Sequence, residues 1–132
     1  AGMAKGATNM ALHYAMDRKT FGKAIAEHQA IQLKLAEMST RAAAAELLVH
    51  QAADKFDRHE RCDLEAGQAK FFASEAAVQN SLDAMRVFGG YSYSPEYEIE
   101  RFYRDAPLLC IGEGTNEIQR MIIAKQMVAR AS

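Results

Sequence analysis

Apolar side chains recur every three or four residues along most of the chain. Between residues 28 and 58 they occupy Ile31, Leu35, Met38, Ala42, Ala45, Val49, Ala52 and Phe56, the spacing of a helix that buries one stripe. This predicts a long helix over 28–57. Its run from Ala42 to Ala45 joins high helix propensity to side chains small enough for a neighbouring helix to approach closely. Upstream, Met3, Ala7, Met10 and Tyr14 trace a similar stripe and predict a helix over 2–17. After the charged connector DRHERCD, Asp63 stands as a candidate N-cap. Phe71, Val78, Leu82 and Met85 then mark one face of a helix over 63–88 that Gly89 and Gly90 end. A last helix is predicted over 115–130, from Thr115 through NEIQRMIIAKQMVAR.

No strand alternation, internal repeat or low-complexity tract competes with this pattern. The expected fold is all-α, an antiparallel up-and-down four-helix bundle forming one domain over residues 1–132. Two connections have unusual content: KTFGKAIAE, and the longer GGYSYSPEYEIERFYRDAPLLCIGEG, which holds both prolines. The second exceeds ordinary bundle loops, so a short helical turn is expected around Glu96 to Tyr103.

Composition narrows the function classes. With a net charge of -1 and no basic block, the chain lacks the electrostatic footprint of a nucleic-acid binder. No apolar stretch approaches the roughly 20 residues that span a bilayer, and no signal-peptide pattern opens the chain. An intracellular soluble protein is therefore expected. Cys62 and Cys110 read as free thiols. The four histidines, His13, His28, His50 and His59, never fall three or four apart, and no Glu-x-x-His occurs, so no metal site is expected. The opening AGMAKGATNM already lies inside a helical pattern, as if the chain continued from something longer.

The most unusual local chemistry is Glu113, set between Gly112 and Gly114 after the apolar run Pro107 to Ile111. Flanking glycines permit turns that bulky residues resist and let a ligand approach closely. The apolar lead would raise the carboxylate pKa by drying it, while the helix beginning near Thr115 would lower it. Each motif has an ordinary structural explanation when taken alone. An acid gains from a helix N-terminus, Gly89-Gly90 can close a helix, DRKTFG can be a polar turn anchored by Phe21, and RFYRDA can hold a local ion pair.

Their joint order, RKTFGKAIAEHQAI, VFGG, RDA and EGTNEIQR, closely resembles the C-terminal helical domain of the flavin-dependent acyl-CoA dehydrogenases, above all the short- and medium-chain members, from about Gly6 to Arg130. The resemblance implies that Glu113 is the base removing the α-proton of an acyl-CoA thioester, with the β-hydrogen leaving as hydride to FAD and a trans-2-enoyl-CoA as product. It assigns the backbone around Glu113 and Gly114 to the thioester oxygen. It assigns Arg18, Lys19, Thr20, Phe21, His28 and Gln29, with Arg86, Val87, Phe88, Gly89 and Gly90, to the adenine and pyrophosphate side of FAD belonging to a neighbouring subunit. Thr115, Asn116 and Glu117 match residues that contact the flavin beside the base. It further implies an electron-transfer flavoprotein as partner, a homodimer or homotetramer, and a bacterial cytoplasmic or mitochondrial matrix location.

Three positions depart from the medium-chain pattern: Gly112 replaces a usual tyrosine, Arg86 a usual glutamine, and Glu117 a frequent glutamine. The first puts chain-length preference in doubt. Members of the family also carry a helical and a β-domain before this one, so the isolated chain is expected to be inactive. Two alternatives remain open at this point: an acyl-CoA oxidase with the same base, and a helical assembly module without chemistry.

Overall fold

The computed structural model describes residues 1–131. It is all-α in class, with five helices: α1 (Gly2–Asp17), α2 (Gln29–Asp57), α3 (Asp63–Phe88), α4 (Ile99–Ile111) and α5 (Asn116–Ala131). Between α1 and α2 lies a small antiparallel hairpin, β1 (Lys19–Thr20) and β2 (Lys23–Ala24), followed by a short 3-10 turn. Its two tip residues, Phe21 and Gly22, both have positive φ, 51° and 81°. That pair is the signature of a two-residue turn matched to strand twist.

The four expected helices form within a residue or two of their predicted bounds, but the count of four is short by one. The turn foreseen near Glu96 to Tyr103 is the 13-residue helix α4, which continues through Pro107. Ile99 and Ala106 are fully buried on its inner face, a helical spacing. Pro107 lies on the exposed side. Two smaller expectations are also corrected. Asp63 is the first residue of α3 rather than its cap, and its carboxylate accepts from Arg61 at 2.6 Å. The outer parts of the predicted α2 stripe are not covered, since Val49 and Phe56 are exposed.

Helix α3 is the axis of the domain and packs against all four others. Such a helix has little room for large side chains, and its buried positions are largely Ala69, Ala73, Ala76, Ala77, Ala84, Ser74 and Ser81. In α1 the buried stripe is likewise all alanine, at Ala4, Ala7, Ala11 and Ala15, with the predicted Met3, Met10 and Tyr14 flanking it half-buried. Glycine serves the same close approach: a Cβ on Gly6 would sit 2.9 Å from the Phe102 ring.

Polar side chains set the axial register of these smooth helices. Asn80 Nδ2 donates to the Ala4 carbonyl of α1 at 3.2 Å and to the Met38 carbonyl of α2 at 2.8 Å, while Asn80 Oδ1 accepts from Arg41 Nε at 2.7 Å. Buried Asp83 pairs with Arg41 and lies 3.6 Å from Lys34. At the other end Glu65 accepts from Arg130 at 2.7 and 3.0 Å and from Lys55 at 2.7 Å. This acid sits in the first turn of α3 and its bases in the last turns of α5 and α2, the favourable sense for all three helix dipoles. Among the described residues, the hydroxyl of Ser81 is the one buried side-chain polar atom without a partner.

These contacts fix chain direction. Lys55 meets Glu65 and Met38 meets Asn80, so α2 runs antiparallel to α3. Ala4 meets Asn80 and Tyr14 stacks on Phe88 at 4.1 Å, so α1 runs parallel to it. Glu100 lines one groove with Met85, and the Cys110 carbonyl meets Lys70. Asn116 then meets Ser74, and Arg130 meets Glu65. Thus α4 and α5 both descend along α3, one after the other. The fourth leg of the expected bundle is a leg in two pieces, and Glu113 sits at the joint.

The Arg130 and Lys55 hydrogen bonds hold the Glu65 carboxyl far below the ordinary carboxylate range, outweighing its burial. A carboxyl depressed in the fold adds stability above its unfolded pKa, about 4.3, and that stability is lost as pH falls toward the folded value. Glu65→Gln should therefore lower unfolding stability at pH 7 by about 2 kcal/mol, the scale of charged hydrogen bonds to cations that still reach water. The difference from wild type should shrink steadily below about pH 4. Denaturant unfolding across that range checks both magnitude and sign.

Candidate functional site

Two groups of predicted residues come together at separate places. The first gathers where the C-terminal ends of α1 and α3 meet. A cavity of about 490 Å³ there is lined by Arg18, Thr20, Val87, Phe88, Gly89 and Gly90, together with Tyr14, Ile25 and Tyr91. The hairpin folds back because Ile25 N–H donates to the Arg18 carbonyl at 2.8 Å, which returns Thr20 and His28 to one place. Thr20 Oγ1 and His28 Nε2 lie 3.0 Å apart, and Phe21 at the hairpin tip meets the His28 ring edge-on at 6.1 Å. The Phe21 ring is otherwise 96% exposed, more than a packing anchor allows. The Arg18 guanidinium rests over the Tyr91 ring, 5.6 Å from its centre.

Gly89 ends α3 with φ 63°, a backbone that favours glycine. Gly90 has no such constraint, and a Cβ there would meet nothing within 4 Å. The space above it is open to a ligand. Arg18 and Thr20 supply donors beside it, a set suited to phosphate oxygens, while Tyr91 and the exposed Phe21 supply ring faces. Burial holds the Tyr14 phenol above its ordinary pKa, so the charge in this wall comes from Arg18. Arg86 does not line this cavity; it is exposed and donates to Asp83 Oδ1 at 3.0 Å. Lys19 and Gln29 are exposed.

The second group surrounds the joint between α4 and α5. Glu113 has φ 56° and Gly114 φ 83°. Left-handed backbone costs a residue with a Cβ about 1–2 kcal/mol, so the turn must be held from both sides. On the α4 side, Gly112 N–H donates to the Leu108 carbonyl at 2.8 Å. Gly112 itself has an ordinary extended φ of -68°, so the strained residue is Glu113 and not its leading glycine. On the α5 side, Thr115 Oγ1 accepts from Ile118 N–H at 3.4 Å, and Gln119 Nε2 reaches the Glu113 carbonyl at 3.5 Å.

Beneath the turn, Asn116 is buried and fully engaged. Its Oδ1 accepts from Lys70 at 2.7 Å and Ser74 at 3.0 Å, and its Nδ2 donates to Glu75 at 2.8 Å. Both ends of its amide are thus engaged within the protein. The Glu117 carboxyl is held below its ordinary pKa by its own backbone N–H, then by the Thr115 hydroxyl. It therefore folds onto the start of α5. Glu113 is exposed and lines a groove of about 290 Å³ with Lys70, Ala73, Ser74, Leu108, Leu109, Gly112 and Ala1. Leu108 and Ile111 are 66% and 64% exposed, so drying of Glu113 by its apolar lead requires a further body over the groove.

The two places are distinct. Between Ser74 and Phe88, α3 rises about 21 Å. The sequence reading missed Lys70, Ser74 and Tyr91. Lys70 and Ser74 share one helical face four residues apart, a signal that becomes legible only once α4 and α5 are known to share that face.

The family model described as acyl-CoA dehydrogenase, C-terminal domain, matches residues 1–128. A Bacillus subtilis protein named acyl-CoA dehydrogenase is 50% identical over 127 residues, 96% of this chain and 34% of the relative. Subunit CarC of the caffeyl-CoA reductase-Etf complex of Acetobacterium woodii is 43% identical over 129 residues, 98% of this chain and 34% of that protein. The solved butyryl-CoA dehydrogenase of Megasphaera elsdenii superposes with a TM-score of 0.94 at 38% identity, covering 96% of this chain and 33% of that one. The chain spans about a third of the length of the curated relatives it matches. Motif order, helix arrangement and a match over nearly every residue agree: the chain belongs to the acyl-CoA dehydrogenase family and corresponds to its C-terminal domain.

Proposed function

We propose that this chain is the C-terminal domain, residues 1–132, of a flavin-dependent acyl-CoA dehydrogenase, and that Glu113 is the base for α,β-dehydrogenation of an acyl-CoA thioester. The observation that carries the reading is the setting of Glu113. A strained residue with an exposed carboxylate is held over a groove whose floor is tied to two helices. Surface acids do not need such support, and backbone strain of this kind gathers at functional turns. In the proposed reaction the Glu113 carboxylate accepts the α-proton, and the backbone around Glu113 and Gly114 orients the thioester oxygen. Leu108 and Leu109 shield the acyl chain. FAD, when bound, supplies the acceptor for the β-hydrogen as hydride. Reducing equivalents would then leave through an electron-transfer flavoprotein, in keeping with the Etf complex to which the Acetobacterium relative belongs.

The residues fit FAD in two places. Thr115 and the start of α5 face the flavin beside the base. Arg18, Thr20, Phe21, His28 and the Val87 to Gly90 turn hold the adenine and pyrophosphate side, with Arg18 leaving the Tyr91 ring to meet phosphate. We assign this second group to the cofactor of a neighbouring subunit, because about 21 Å of α3 separates it from Glu113. Arg86 contributes positive potential from the rim rather than a direct contact. The active protein is then a homodimer or homotetramer. Leu33, Leu47 and Phe56 on α2 and Met121 and Met127 on α5, all exposed, supply the apolar surface that such packing or another domain would cover.

In the whole protein, Glu113→Gln should keep flavin and acyl-CoA binding and slow flavin reduction by acyl-CoA about 1,000-fold, since the amide keeps shape but cannot take the proton. Stopped-flow absorbance at the flavin band measures this, and a near-normal rate would place the base elsewhere. Arg18→Ala should instead lower flavin affinity roughly tenfold or more, the scale of lost charged hydrogen bonds, with flavin content per subunit as the readout.

The two variants together test assembly. Mixed oligomers of Glu113→Gln and Arg18→Ala subunits contain one site with both wild-type groups if Arg18 serves a neighbour's flavin. Co-expression should then restore activity that neither variant has with limiting flavin. No restoration in verified mixed oligomers would place both groups at one subunit's cofactor.

A further inference from the structure

Lys70 stands half-buried on α3 and lines the groove that Glu113 faces. Its ammonium donates to the Cys110 carbonyl in the last turn of α4, at 3.3 Å, and to Asn116 Oδ1 at the start of α5, at 2.7 Å. Cys110 and Asn116 bracket the five residues of the joint, the left-handed pair Glu113 and Gly114 included. The carbonyl belongs to the last four of a helix, which lack intrahelical donors. One cation therefore ties the entry and the exit of the turn to a single point on the central helix.

Both acceptors are neutral, and no carboxylate oxygen lies within ion-pair distance of Lys70 among the described residues. A half-buried ammonium without an ion pair is a costly way to fasten a loop. Its advantage is geometric: three donors spread in a tetrahedron on a long stem reach two helices at once. We propose that Lys70 is a positioning residue for Glu113. It holds the α4–α5 joint in the left-handed conformation that aims the carboxylate into the groove, its ammonium engaged by the two helices rather than by a reacting group. This rests on the reading of Glu113 as the base.

The test uses the whole FAD-loaded protein with Lys70→Met, which keeps the apolar stem and removes every donor. Hydrogen exchange should accelerate at the amides of residues 112–116 while the middle of α3 keeps its protection. The limiting rate of flavin reduction should fall about 100-fold, as expected for a displaced reacting group, with bound flavin unchanged. Lys70→Arg, which keeps charge and donors, should retain turn protection and most of the rate. Wild-type exchange across the turn in Lys70→Met overturns the proposal, as does a loosened turn that reduces flavin at the normal rate. If Lys70→Met does not fold, Lys70→Arg decides, and a large loss of rate in that variant with its fold intact also overturns it. Glu113→Gln measured in parallel separates the two levels. A normal rate there refutes the base, whereas the exchange data still report whether Lys70 holds the turn.

Discussion

A helix that packs against four others has little room for large side chains, and that constraint on α3 organises the domain. Its inner surface is largely alanine and serine, which lets four helices approach closely but leaves little to prevent them from sliding. Small apolar surfaces are nearly featureless along the axis. Directional polar contacts have to supply the register, and they occur at Glu65, Ser74, Asn80 and Asp83, roughly one or two per few turns of α3. Each is buried and each meets partners on other helices. The buried polar groups here specify position more than they add stability, since well-paired buried charges often contribute little net energy.

The same register places the sites. Because α1 and α3 run parallel, their C-terminal ends arrive together, and the Arg18 hairpin faces the Gly89 turn without any long loop. Because α4 and α5 descend end to end along α3, the joint between them lies beside Lys70 and Ser74. A left-handed residue such as Glu113 survives where surrounding bonds over-determine it. Here Asn116 binds three α3 side chains at once, so the first turn of α5 cannot move to relieve the strain.

Much of this was legible from periodicity, and the failures share physical causes. The four long helices follow from apolar spacing, and the family from the order of the motifs along the chain. Helix α4 was hidden by Pro107. An interior proline forfeits a hydrogen bond and usually ends a helix, yet Ile99 and Ala106 keep a clean helical spacing around it. On the exposed face the ring meets solvent, and burial of the opposite face holds the helix together. The hairpin at Thr20 to Lys23 was missed because two residues per strand give no alternation to detect. Its remaining signal, Gly22 after Phe21, is a turn signal with an unusual first residue.

The stripe on α2 failed differently. Val49 and Phe56 are apolar at the right spacing but stay exposed, as do Leu33 and Leu47 on other faces of the same helix. A hydrophobic pattern records which positions leave water in the final assembly; it does not say which body covers them. Met38, Ala42 and Ala45, covered from within the chain, are the part of the stripe facing α1 and α3. Helix α5 shows the same division, with Asn116 and Gln126 turned inward while Met121, Met127 and Val128 are exposed. Its inward side also carries Ile122 and Ile123, half-buried, with Ile123 against Gly67 of α3, so large apolar groups stand on both sides of this helix. The exposed apolar side chains of α2 and α5 thus lie outside the packing that this chain supplies, which around α3 rests mostly on small and polar side chains.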